Sequence, residues 1–151
     1  MKKHIFLLII LSLLTACKQN HAESVNSNNN TANLTAAVQT QEQNASVIQA
    51  FENKRSHIFV EGYGTVKKLL PDDNKGSRHQ KFLVTISPEQ TLLFAHNIDL
   101  APAVPLSVGD AVQFRGEYVY NPKGGVVHWT HHDPQAKIEG GWIKYNGNTY
   151  H

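Results

Sequence analysis

Nine histidines and a single cysteine lie among 151 residues, and the histidines cluster near the C-terminus. His128-Trp129-Thr130-His131-His132-Asp133 sets three imidazoles and a carboxylate within six positions. Such groups ligate zinc or another divalent ion, move protons near neutral pH, or hydrogen-bond a polar ligand. The sequence has no Gly-x-Ser-x-Gly elbow and no phosphate-cradling glycine loop. One cysteine excludes an internal disulfide framework and a Cys-rich zinc site. Chemistry, if present, rests on His, Asp, Glu, Arg or Ser.

The backbone decides what the cluster can do. On a helix His128 and His131 would share a face. However, Val126, Val127, Trp129 and Thr130 favour a strand, with Gly125 before them and Pro134 after. On a strand His128 and His132 share a face about 13 Å apart, and His131 and His132 point to opposite faces. Any shared ion or ligand therefore needs partners from other elements. A four-residue loop, Pro122 to Gly125, would set Tyr120 opposite Val127 and Tyr118 opposite Trp129. That register turns Val127, Trp129 and His131 inward, and His128, Thr130 and His132 outward beside Arg115 and Glu117.

The elements that must supply those partners are mostly strands. Ser46 and Gln49 fit a capping box, and Val47, Ile48 and Phe51 recur at helical spacing, predicting one short N-terminal helix over 46–55. Lys54 and Arg55 suit its negative end. The period then becomes two. Strands are expected over His57–Leu70, Arg78–Ile86, Thr91–His96, Ala111–Tyr120 and Val126–His132, with a final hairpin, Trp142–Tyr150, turning at Asn146-Gly147. Five strands with the long connection after the third match an OB-type order: a mainly β, small five-stranded OB-like barrel. Ser107 to Gly116 resembles the entry to the fourth strand of many OB domains. Those domains often carry a helix before it, which Pro102 and Pro105 disfavour here.

In that topology strand five runs parallel to strand three. The end of strand three, the end of strand five and the start of strand two then share one rim. The rim carries His96 and Asn97, His131 to Asp133, and Arg78 to Gln80. As a metal centre, His96, His131, His132 and Asp133, with Asp99 as an alternative carboxylate, would hold zinc or a similar ion. An open coordination position would activate water, and Arg78 would stabilise charge building on an ester. As a binding site, Arg78, His79, Gln80, Asn97, Glu117, His128 and Trp129 would hold an oligosaccharide, a nucleic acid strand or a small ligand. The plain alternative is that His79 and His128 bond their neighbours while His131 to Asp133 cap a strand. Binding without catalysis is the expectation, with a metal-dependent hydrolase of a phosphodiester or envelope polymer as the other reading. Whether the protein is an enzyme stays open. Lys67, Lys68 and Lys75, mixed with Asp72 and Asp73, read as a solvated loop. Trp142, Tyr145 and Tyr150 are expected to close the barrel's open end.

The N-terminus gives an address. Lys2-Lys3 and the apolar run Ile5 to Leu14 form an export signal too short to span a bilayer. Leu14-Thr15-Ala16-Cys17 resembles the lipobox of bacterial lipoproteins. The resemblance implies acylation of Cys17 and of the new amino terminus after cleavage, a stable membrane anchor. Lys18, where Asp typically retains lipoproteins at the inner membrane, implies the outer membrane facing the periplasm. Residues 18–45, rich in Asn, Gln, Ser, Thr and Ala, read as a disordered polar tether with a span of roughly 30 Å. That leaves 46–151 as one domain. Without Lys2 and Lys3 the 14 basic residues fall to 12, equal to the 12 acidic ones, so charge gives no general reason to expect an anionic partner. No protein partner is evident.

The stretch from about Gly62 to Tyr150 also resembles a family of small exported bacterial proteins known only as a domain of unknown function. Arg78-His79-Gln80, His96-Asn97-Ile98-Asp99-Leu100-Ala101-Pro102, Gly116-Glu117-Tyr118 and Gly124 to Pro134 carry the resemblance. The family pattern has a basic residue after Pro102, where this chain has Ala103. The resemblance implies an exported, barrel-like domain and brings no activity.

Overall fold

A computed structural model describes residues 42–151 together with Leu34, Val38 and Gln39. The signal segment, Cys17 and most of the tether lie outside the described residues. Among the described residues, the helix α1 (Ala45–Glu52) precedes seven strands: β1 (Ile58–Asp73), β2 (His79–Thr85), β3 (Thr91–Asn97), β4 (Ala111–Val119), β5 (Val126–His128), β6 (Trp142–Tyr145) and β7 (Asn148–Tyr150).

Alternation builds the sheet. Phe82 and Val84 of β2, Leu92, Phe94 and His96 of β3, and Val112, Phe114 and Tyr118 of β4 are all buried, with less buried residues between them. Phe94 stacks on Phe82 at 5.0 Å and meets Phe114 edge-on at 4.9 Å. β1 is long enough to serve two neighbours: Ile58 to Thr65 pairs with β4, and Thr65 to Asp73 with β2, across an irregularity at Val66–Lys68. β3 pairs antiparallel with β2 and parallel with β5, and β5 returns to β4. Five strands thus close a ring in the order β1-β2-β3-β5-β4, the connectivity expected of an OB-like domain. The connection from Ile98 to Asp110 contains no helix, as its prolines require.

β6 and β7 extend the ring beyond β4, and their turn residues Asn146 and Gly147 both have positive φ, 48° and 77°. Ile143 brings the hairpin's fully buried side chain into the core, with Tyr145 and Tyr150 packed partly against it. Trp142 instead lies beneath the Lys144 ammonium, 4.3 Å from the ring centroid. Lys67, Lys68 and Lys75 are exposed.

α1 differs in its start. Ser46 does not cap it; its hydroxyl donates to the Glu61 carbonyl at 2.9 Å. The residue before the helix is Asn44, expected in the tether yet fully buried. Its amide donates to the Ile86 carbonyl at 3.0 Å and accepts from the Tyr63 N–H at 2.7 Å. A buried amide with both ends satisfied fixes the helix against two strands. α1 ends at Glu52, so Lys54 and Arg55 lie past its last turn.

Candidate functional site

The parallel β3–β5 pairing brings distant chain ends to one rim. A cleft of about 360 Å3 opens there, lined by His79 from β2, Asn97 from β3, and His128, Trp129, His131 and Asp133 from β5 and the chain beyond it. Ser77, Leu100, Pro134 and Gln135 complete it. None of these four is expected from the sequence as a site residue, although Leu100 and Pro134 lie in the motifs quoted above and each lies within three positions of an expected one.

Two cleft imidazoles have their tautomers set. His79 Nδ1 lies 2.8 Å from the Ser77 carbonyl, and His131 Nδ1 lies 2.8 Å from the His132 carbonyl. A carbonyl oxygen only accepts, so each Nδ1 carries the hydrogen and each neutral ring keeps its lone pair on Nε2. His128 faces the carboxylate of Glu117, its cross-strand partner, with 3.8 Å between Nε2 and Oε2. Burial lowers the affinity of His128 for a proton, against the raising effect of Glu117, and neighbouring His57, His79 and His131 lower it further. Glu117 itself accepts from His57 Nδ1 at 2.7 Å.

The chain after β5 departs from the expected phase. Tyr118, not Tyr120, lies opposite Val127, and Glu117 lies opposite His128. The strand stops at His128 because Trp129 adopts a left-handed φ of 53°. One left-handed residue breaks the alternation, so Thr130 turns inward instead of outward and is fully buried. Trp129 is half-buried and stacks on His131 at 5.3 Å, and His131 is itself buried. The indole Nε1 of Trp129 is the one buried side-chain nitrogen or oxygen among the described residues that has no hydrogen-bond partner.

Several expected site residues hold the fold together instead. His96 lies under the rim, 0% exposed, with Nδ1 2.7 Å from the Thr130 hydroxyl and Nε2 3.0 Å from the Pro102 carbonyl. Nε2 must donate to that carbonyl, which leaves Nδ1 to accept from Thr130, so neither nitrogen is left for a metal. Arg78 is clasped by Asp99, which accepts from its backbone N–H and its Nε, each at 2.7 Å. Those two bonds are also the leading cause of the lowered proton affinity of Asp99. Gln80 clamps the β3–β4 connection, donating to the Val104 carbonyl at 2.7 Å and accepting from its N–H at 2.9 Å.

Asp133 lines the cleft while its carboxylate accepts from the N–H groups of Gln135, Lys137 and Ile138, bonds that keep it ionised. His132 is exposed beside His151. Among the described residues, no group of three or more His, Cys, Asp and Glu is disposed to hold a metal ion. The four-residue metal set His96, His131, His132 and Asp133 is therefore not assembled.

The family described as "Protein of unknown function (DUF3465)" matches residues 31–151. The chain belongs to that family. The match takes in α1, all seven strands and every residue of the cleft. No curated protein matches the chain.

Proposed function

We propose that the protein is a lipid-anchored envelope protein whose domain binds a small polar ligand in the cleft between the ends of β2, β3 and β5, without catalysis. One observation carries this reading: His79, Asn97, His128, Trp129 and His131, up to 52 positions apart in sequence, line a single cavity. A concave site with an aromatic wall and a few convergent polar groups is the usual form of a small-ligand site. The hydrolase reading has no comparable support, since Arg78 is held by Asp99 and His96 has both nitrogens engaged.

A fragment screen followed by amide and side-chain NMR tests the binding reading. Hits are expected to converge on resonances of His79, Asn97, Trp129 and His131. Hits scattered over other faces, with the cleft resonances still, would remove it.

The anchor rests on Leu14 to Cys17 and on the apolar run before them, and among the described residues no helix is long and apolar enough to cross a membrane. Cys17→Ser is expected to leave an unprocessed, unacylated precursor, read by metabolic labelling with a radioactive fatty acid. Label retained on the Cys17→Ser variant would overturn the anchor.

A further inference from the structure

Resting on the binding reading above, we propose that the cleft takes a neutral, hydroxyl-rich ligand, a saccharide, because its walls present fixed acceptors and fixed donors side by side. The acceptors are the Nε2 atoms of His79 and His131, left with the lone pair once each Nδ1–H is given to a backbone carbonyl. The donors are the NH2 hydrogens of Asn97, whose amide oxygen accepts from the Asp99 N–H at 3.0 Å.

Three ligand chemistries meet this wall differently. A divalent cation would take the imidazole lone pairs but would leave the Asn97 donors unanswered. It would also find no third ligand among His, Cys, Asp and Glu of the described residues. An inorganic anion would accept from Asn97 but would face two lone pairs and the ionised carboxylate of Asp133. A hydroxyl both donates and accepts, so the hydroxyls of a sugar satisfy His Nε2 and the Asn97 NH2 together. The stacked pair of Trp129 and His131 adds an aromatic wall, whose electron-rich faces suit the C–H groups of a pyranose. The cavity of about 360 Å3 lies within the size range of small-ligand sites.

The experiment applies the full chain to an array of neutral glycans at pH 7.5, with zinc chloride and inorganic phosphate titrated separately by NMR. A neutral glycan is expected to bind and to shift the Trp129 indole N–H resonance. Trp129→Ala removes the aromatic wall, and Asn97→Asp keeps the bond to Asp99 and removes the donors. Each is expected to weaken that glycan about tenfold while melting as a folded domain.

Phosphate or zinc moving the cleft resonances where no neutral glycan does would overturn the ligand class and leave the cleft as a binding site. Glycan binding unchanged in both variants would overturn the roles given to the Asn97 donors and the Trp129 wall. A still cleft with every probe and every fragment would remove both readings.

Discussion

Gly125→Ala is expected to destabilise the domain by about 3–5 kcal/mol and to open the ring between β3 and β5. Gly125 sits at φ 106°, a region costly for a residue with a side chain, at about 1–3 kcal/mol. An added methyl would also overlap the ring and hydroxyl of Tyr118. That ring has nowhere to go: it is fully buried, and its hydroxyl donates to the Gly124 carbonyl at 3.0 Å. Burial pushes its pKa up to about 12, so the hydroxyl remains a donor at any pH the protein meets. Overpacking of this kind adds about 1–3 kcal/mol.

The same residue closes the ring, since the Gly125 carbonyl accepts from the Leu93 N–H at 3.0 Å beside the parallel pairing. Gly76→Ala is the control. Gly76 has φ 76° but open space around it, so only the backbone cost of about 1–2 kcal/mol applies. Urea unfolding of both variants decides the matter. Equal losses would mean that the Tyr118 ring yields and that the β3–β5 closure is not held as described.

How far the fold could be read from the sequence follows from what alternation and topology encode. Strand boundaries came within about three residues for β1 to β4, because apolar residues at every second position fix which face is buried. The shared rim followed from one topological fact, the parallel β3–β5 pair, and needed no register. Register was where the reading failed. The β4–β5 pairing is offset by two positions, which preserves faces through Val127. Beyond that, left-handed Trp129 breaks the alternation, so Thr130 turns inward while His131 stays buried and His132 exposed as expected, and a Trp at positive φ has no local sequence signal.

The burial of Asn44 was equally silent, since an amide in a polar stretch looks like tether until its two partners, 19 and 42 positions away, are known. His96 is a different case. It continues the inward series Leu92-Phe94-His96, and that alternation already marked a core position rather than a ligand. The rim does bring His79, Asn97, His128, Trp129, His131 and Asp133 around one cleft, yet proximity alone did not separate groups that line it from those that brace it.

His96→Ala is expected to be the most damaging change beneath the rim, at about 3–5 kcal/mol. Truncation leaves a cavity, which for a large buried side chain costs about 2–5 kcal/mol. It also strands the Pro102 carbonyl and the buried Thr130 hydroxyl, which now satisfy the two ring nitrogens. These bonds tie β3 to the chain after β5 and to the connection toward β4, so the Asn97 and Trp129 walls of the cleft should loosen together.

The same ring makes stability depend on acid. Burial is the largest influence on His96 and lowers its proton affinity below the ordinary 6.5. The unfolded chain therefore binds more protons than the native one as pH falls below 6.5. Stability is complete above that value and declines as pH drops toward the lowered native one. His128 acts in the same direction through its own burial. Urea midpoints at pH 7.5 and 5.5 should thus differ for the wild type, and the difference should shrink in His96→Gln while His128 sustains the remainder. A pH dependence identical in the wild type and His96→Gln would mean that the buried imidazole is not the titrating group, and a loss under about 1 kcal/mol in His96→Ala would mean that Thr130 and Pro102 find other partners.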